Sequence, residues 1–314
     1  MGYFKIVILL FIISAPTTST YSQSSHFTKS DHWKNKRKSV LFGIGLTGFL
    51  GDIGGSDKDG THFSPKDLDL NSTAYAGHIG YRFRIGSNFA TKTLLQYGMF
   101  AANDTYTHQP NRRNRNIQVQ THLFEVSQQF ELILARNEQF GSRHRKYGLK
   151  GIRSKDFQVY LFSGISVFGF IPQGRGGVYG WTNLRPLKTE GQGFIGDTRE
   201  YERYSLGIPI GFGYKIGLAP MWSMSFEISY THTFTDYLDD VSGNYYDNSL
   251  IESNFGSKAA YFADPSLGPF PELTQAGLAR GSSDYNDVYL YLNMSFIRNV
   301  SFKRTNKTRR KHSR

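Results

Sequence analysis

From Trp222 to Thr235 the chain alternates strictly, residue by residue. Trp222, Met224, Phe226, Ile228, Tyr230, His232 and Phe234 fall on one side; Ser223, Ser225, Glu227, Ser229, Thr231, Thr233 and Thr235 fall on the other. Successive side chains of an extended strand point to opposite faces, whereas a helix would scatter both sets around its axis. This strand therefore has one apolar face and one face lined with hydroxyls. Such a strand needs apolar surroundings on one side and an enclosed polar space on the other.

Other segments repeat the pattern. Leu206, Ile208, Ile210, Phe212, Tyr214 and Ile216 alternate with small or polar residues, and so do Tyr75, Ile79, Tyr81, Phe83 and Ile85. Val40 to Thr47 and Val288 to Phe296 do the same, and weaker versions lie near 89–101, 117–134 and 157–171. The count predicts eight strands. Their connections alternate in length: Gly86-Ser87-Asn88 and 217–221 are short, while 50–72, 102–115, 172–202 and 236–286 are long. Short turns at one end and long loops at the other are the arrangement of a transmembrane barrel, with short turns periplasmic and long loops extracellular. The connection near 135–155 is long but periplasmic by parity. The expected fold is all-β: an eight-stranded antiparallel up-and-down transmembrane barrel with a filled lumen.

The first residues agree with export. Lys5 precedes the run Ile6 to Ile13, and small and polar residues follow as far as Gln23. An early charge, a short apolar run and a polar exit are the pattern of a signal peptide. The run falls short of the about 20 residues a spanning helix requires. Cleavage is expected near Ser22. The organisation expected is signal peptide 1–22, basic periplasmic segment 23–39, barrel 40–297 and basic periplasmic tail 298–314. The location expected is the cell outer membrane, with its lipid as a partner. Mean hydropathy is −0.44, which does not argue against a barrel, because alternation hides the apolar face. There is no cysteine, which removes disulfides, thiol catalysis and a lipidated Cys together.

The formal net charge is +12. After export, nucleic acid is not the expected partner, and the distribution of charge matters more than its sum. Lys29, Lys34, Lys36, Arg37 and Lys38 precede the first strand. The middle connection carries Arg143, Arg145, Lys146, Lys150 and Arg153, and the tail carries Lys303, Arg304, Arg309 and Arg310. All fall on the proposed periplasmic side and form the candidate docking surface. The first and last long loops are acidic instead.

Alternation points Arg82, Arg84, Lys92 and Lys215 inward, together with Glu125, Glu131 and Glu227. Eight strands enclose a tube that side chains fill, so the charges are expected to pair as a structural ion-pair core. Trp222, Tyr75, Tyr214, Tyr230, Tyr237, Tyr285 and Tyr289 are assigned to the membrane interfaces or the lipid face. The segment Thr235 to Ser242 is the densest acidic patch. Its spacing does not match a calcium loop, so it is expected to be a solvated loop shoulder. Gly174 to Gly177 lacks the Gly-Lys-Ser/Thr ending of a phosphate loop. His232 has only Tyr230 and Phe234 as same-face neighbours, and His78 points inward beside Arg82. Neither supplies a nucleophile with an orienting acid, so no enzyme activity, metal, cofactor or small-molecule substrate is expected.

Three segments together resemble a family: Gly45 to Gly54 ending in a Gly-Asp pair, Leu187 to Gly193 with Thr189, Glu190 and Gly191, and Phe234 to Ser242 with Asp236, Tyr237, Asp239 and Asp240. They resemble PorG-like outer-membrane barrels of Bacteroidota, related to the barrel component of the type IX (Por) secretion system. The resemblance covers roughly 40–297. It implies an eight-stranded barrel whose periplasmic face docks on a PorK/PorN ring. A stand-alone structural or adhesive surface barrel is the alternative, and a pore or transporter is the second alternative, which the strand count disfavours.

Overall fold

The computed structural model describes residues 36–53, 72–107, 109–137, 156–194, 200–219, 221–268 and 270–300. Nine strands form: β1 Lys38–Leu50, β2 Ala74–Arg84, β3 Phe89–Asn103, β4 Gln118–Asn137, β5 Phe157–Arg175, β6 Trp181–Asn183, β7 Tyr204–Ala219, β8 Trp222–Thr233 and β9 Val288–Val300. Eight of them close a ring in chain order, every neighbour antiparallel, with β9 returning to β1 along Lys38↔Val300 to Leu50↔Val288. β6 lies outside the ring as a three-residue strand pairing with Gln173–Arg175 of β5. Closure matters physically: it leaves no row of unpaired backbone donors and acceptors, which hydrocarbon could not satisfy.

Alternation decides what faces where. Ile44, Leu95, Phe124, Phe130, Ile165, Ile210, Ile228 and Leu292 are all at least half exposed on the outer wall. Their in-strand neighbours Thr47, Leu94, Glu125, Glu131, Ser166, Ser229 and Asn293 are buried inside. An exposed apolar wall of this extent is what a lipid-facing barrel presents. Register slips occur between Ile133 and Ala135 on β4 and between Gly217 and Ala219 on β7. Such bulges add local twist, which helps a small sheet to close.

The ends differ. At one end Ile85 to Asn88 makes a tight turn, with the Ile85 N–H donating to the Phe89 carbonyl at 2.9 Å. At the other end the chain folds substantial structure. Helix α1 (Pro110–Arg115) follows β3. Helices α2 (Asn248–Phe255) and α3 (Ser257–Ala263) lie between β8 and β9. The Asp247 carboxylate starts α2 by accepting from the Ser249 N–H at 2.9 Å. β6 and these helices were not among the expected elements.

The long-loop half of the lumen is aromatic. Phe100, Phe168, Phe170, Leu123, Tyr289 and Tyr291 pack there as one buried cluster. Tyr289 therefore does not stand at a membrane interface. It is buried within the barrel, 5.1 Å from the Phe100 ring. Odd-numbered positions of β9 face inward, so alternation itself requires this. Tyr237 is corrected too: its ring stacks on Tyr201 at 4.6 Å in the loop end, away from the outer wall.

Candidate functional site at the mouth and lumen of the barrel

Glycines on β7 make room for large side chains in the lumen. A Cβ on Gly213 would stand 2.3 Å from the Tyr160 ring, and one on Gly211 would stand 2.3 Å from Phe162. Those rings cover a charged network from four strands. Arg82 of β2 pairs with Glu131 of β4 at 2.7 Å. Lys92 of β3 pairs with Glu227 of β8 at 2.7 Å and lies 4.0 Å from Glu131. The Tyr160 hydroxyl donates to Glu227 at 2.5 Å. Two cations and two carboxylates, all almost fully buried, neutralise one another.

Three of the inward charges stand apart from that network. Arg84 donates to the turn carbonyls of Gly86 and Ser87 at 3.1 and 2.6 Å. Glu125 accepts from the Tyr289 hydroxyl at 3.0 Å, and no described cation pairs with it. Lys215 lines a void of about 30 Å³ at the short-turn end with Arg82, Arg84 and Asp156. That is room for about one water. The seven inward charges thus divide among an ion-pair network, a turn clasp, a hydroxyl contact and a small polar void.

The long-loop end is closed by the segment after β8. Leu238, Asp239, Asp240 and Val241 are each at most 1 % exposed. The acidic run is therefore not a solvated shoulder; it is folded into the mouth. Backbone donors and distant cations make this possible. The Asp287 carboxylate accepts from the Leu238 N–H at 2.8 Å, and Asp239 accepts from the Val241 N–H at 3.0 Å. From the wall, the Thr121 hydroxyl donates to the Leu238 carbonyl at 2.5 Å. Asp240 adopts a left-handed conformation, φ 64°, which Asp tolerates better than most residues.

The two sequence segments around 189 and 236 meet here. The Thr189 hydroxyl donates to Asp240 at 2.6 Å, and the Tyr201 hydroxyl donates to its other oxygen at 2.5 Å. Glu190 accepts from the Ser242 and Gly243 N–H groups at 3.1 and 3.0 Å. Arg280 binds the two segments together, donating to Glu190 at 3.0 Å and to the Asp240 carbonyl at 2.8 Å. Gly191 turns with φ 73° against the Tyr246 ring. A second clasp lies beside the first. Arg115 holds Asp104 through two nitrogens at 2.8 and 2.9 Å and donates to the Arg280 carbonyl at 2.5 Å.

The mouth carries more carboxylate than cation, and burial shows in the proton affinities. Burial lifts Asp236 to about 8, with the charges of Asp52 and Glu190 adding to the shift. Burial lifts Asp240 to about 6 against the opposing pull of Arg280. Asp239 and Asp287 are lifted well above the carboxylate range by burial and by neighbouring carboxylates. Burial also raises Asp52, whose side chain accepts from the Ser282 N–H at 2.7 Å.

Sequence patterning did not single out Arg115, Arg280, Asp287 or Tyr201. Arg115 ends α1 and the other three stand in loops, and they acquire roles only through chain separations such as the 90 residues between Arg280 and Glu190. A faint signal existed, since a buried acidic run must find cations somewhere. His78 likewise gains a neighbour, with Nε2 2.7 Å from the Ser295 hydroxyl. Among the described residues none meets its Nδ1. His232 packs edge-on to Phe234 on the outer wall. Among the described residues no group of three or more His, Asp or Glu is arranged to hold a metal ion. Arg143, Arg145, Lys146, Lys150, Arg153, Lys303, Arg304, Arg309 and Arg310 lie outside the described residues. So do 1–35, which contain the expected signal peptide.

No protein-family model matches the chain, and no curated protein matches it. Among solved structures, it is similar to Neisserial surface protein A with 7% identity and a TM-score of 0.35, over 84% of this chain and 97% of the other. It is similar to the outer membrane protein OprG of Pseudomonas aeruginosa with 9% identity and a TM-score of 0.33, over 85% and 98%. It is also similar to Ail, the attachment invasion locus protein of Yersinia pestis, with 8% identity and a TM-score of 0.31, over 83% and 97%.

Proposed function

We propose that this chain is an outer-membrane β-barrel that anchors a periplasmic assembly rather than conducting solutes. The observation that carries this is a closed wall, apolar outside, around an interior occupied from the Arg82–Glu131 pair up to the buried Leu238 and Val241. A barrel so filled offers its two ends for work, not its bore. At the short-turn end, where β9 finishes at Val300, the described cations Lys36, Arg37 and Arg136 flank the rim.

The assembly we infer is the type IX secretion machine, with the chain as its PorG-like component docking on a PorK/PorN ring. The resemblance of the 45–54, 187–193 and 234–242 segments supports this reading. The three basic clusters supply the physical means. A basic rim raises the encounter rate with an acidic partner, and added salt weakens the association. The test is a pull-down of the full chain from solubilised membranes at low salt. Recovery of ring proteins, reduced at high salt, is expected; recovery of none sinks the docking role. Deleting 303–314 then separates the alternatives. Lost cargo secretion with normal insertion fits the anchor, and unchanged secretion returns the chain to a stand-alone surface barrel.

A further inference from the structure

The apolar outer wall is interrupted on one side. Thr91 and Thr93 of β3 and Gln128 of β4 share the outward face, and Thr93 is the register partner of Gln128. Phe130, two residues along from Gln128, pairs in register with Ser163 of β5, which is also exposed. Apolar residues flank the group along both strands: Phe89 and Leu95 on β3, Val126 and Phe130 on β4, all more than half exposed. Thr93 follows Phe89, the first residue of β3, by four positions. At about 3.3 Å per residue and a tilt of about 40° it stands roughly 10 Å above that rim, inside an apolar band of about 25 Å. Lipid headgroups do not reach that depth.

The three side chains satisfy one another in part. The Thr93 hydroxyl donates to Gln128 Oε1 at 2.6 Å. Gln128 Nε2 donates to the Thr91 hydroxyl oxygen, and the Thr91 hydroxyl donates to the Gln129 carbonyl at 3.1 Å. One amide hydrogen and one acceptor position of Gln128 remain, and so does the Ser163 hydroxyl; no described residue meets them. Left in hydrocarbon, such groups are costly. The polar stripe continues up the same wall, where Tyr97 meets His122 at 2.7 Å and Gln120 donates to Gln173 at 2.9 Å. The opposite wall presents Phe42, Ile44, Phe226, Ile228, Leu292 and Phe296.

Polar side chains at such depth hold membrane proteins together. What remains on Gln128 is one donor and one acceptor, which is self-complementary. A second copy related by a two-fold axis along the membrane normal brings the same amide against it, as an isologous contact requires. We propose that the β3–β4–β5 wall is the interface of a homodimer within the membrane, centred on Thr91, Thr93 and Gln128. This rests on the membrane-barrel reading and adds a partner to it.

The absence of cysteine makes the test direct. A Val126→Cys variant, two residues from Gln128 on the same outward face of β4, is oxidised in intact outer membranes, beside an Ile228→Cys variant on the opposite wall. A disulfide-linked dimer from the first and none from the second is expected. As a second readout, the otherwise unaltered chain in lipid nanodiscs, labelled on an exposed loop, is expected to give dimers by single-molecule photobleaching. Gln128→Leu, with normal heat-modifiable folding, is expected to reduce the dimer fraction at least several-fold. Equal cross-linking of both variants, cross-linking of neither, or linkage to a different polypeptide overturns the proposal. A chain recovered in the soluble fraction overturns the membrane reading beneath it, an outcome distinct from a folded, membrane-inserted monomer.

Discussion

Arg280 holds Glu190 at 3.0 Å across ninety residues of chain, and both side chains are at most 4 % exposed. The same guanidinium nitrogen donates to the Asp240 carbonyl at 2.8 Å, so a single side chain fastens the 189–190 loop to the 236–242 segment that closes the barrel. The wall itself is held by interstrand backbone hydrogen bonds on every side. Mouth and wall therefore rest on different forces and should come apart separately.

Replacing Arg280 by Met is expected to open the mouth and spare the barrel. Glu190 and Asp240 would stay buried without their cation, a loss of about 3–5 kcal/mol when one partner of a buried pair is removed. Amide exchange over 236–243 should rise to that of an open loop, while β1 to β5 stay protected and the folded form still migrates as a compact band. Unchanged protection at 236–243 would show that Arg280 is not the clasp.

The mouth should be tighter in acid than in mild alkali. Asp236 and Asp240 ionise near 3.8 when exposed, and in the closed mouth they ionise near 8 and 6, because burial penalises their charge. A carboxyl raised in the closed state binds its proton more tightly there, so closure is most favoured below about pH 4 and loses free energy as pH climbs towards 8. Asp239 and Asp287 shift in the same direction. Exchange over 236–243, corrected for its intrinsic pH dependence, is expected to be faster at pH 8.5 than at pH 5.5, and Asp236→Asn should flatten the upper part of that change. A pH-independent profile would contradict it.

The wall was legible because alternation is local. Each strand writes its inward and outward sides in consecutive residues, so Trp222 to Thr233 could be assigned without knowing any partner. Pairing is not local. Lys92 and Glu227 both read as inward charges, yet nothing in either strand tells Lys92 that its partner lies 135 residues on. The mouth is not legible for a related reason. Asp236, Asp239 and Asp240 look solvated when only their neighbours are considered, and the donors that make burial tolerable include the Thr189 and Tyr201 hydroxyls, which meet the Asp240 carboxylate from 51 and 39 residues away. β6, three residues long, is too short for any period to register.

Lys92 and Glu227 should behave as a coupled unit. Lys92→Met leaves Glu227, among the described residues, with the Tyr160 hydroxyl alone and deprives Glu131 of its second cation. Glu227→Gln keeps the shape but removes the charge that balances Lys92. Each single variant is expected to lower the urea midpoint for loss of the heat-modifiable form. Lys92→Met with Glu227→Gln should cost less than the sum of the two, by a coupling of about 1–3 kcal/mol. Strict additivity would mean the pair contributes no mutual stabilisation.

The purified chain in a planar bilayer is expected to show no steady, large conductance. An ion entering from the loop end meets Leu238 and Val241, then Phe168, Tyr289 and Tyr291, and below them the paired charges of Arg82, Lys92, Glu131 and Glu227. Opening the mouth alone should not create a pore, because the aromatic layer is carried by the wall strands β3, β5 and β9. Arg280→Met is accordingly expected to remain silent even where its loop exchanges freely. A long-lived open level in the unaltered chain would remove the ground for an anchor over a channel, and one appearing only with Arg280→Met would show that the loop, not the strand-borne rings, is the barrier.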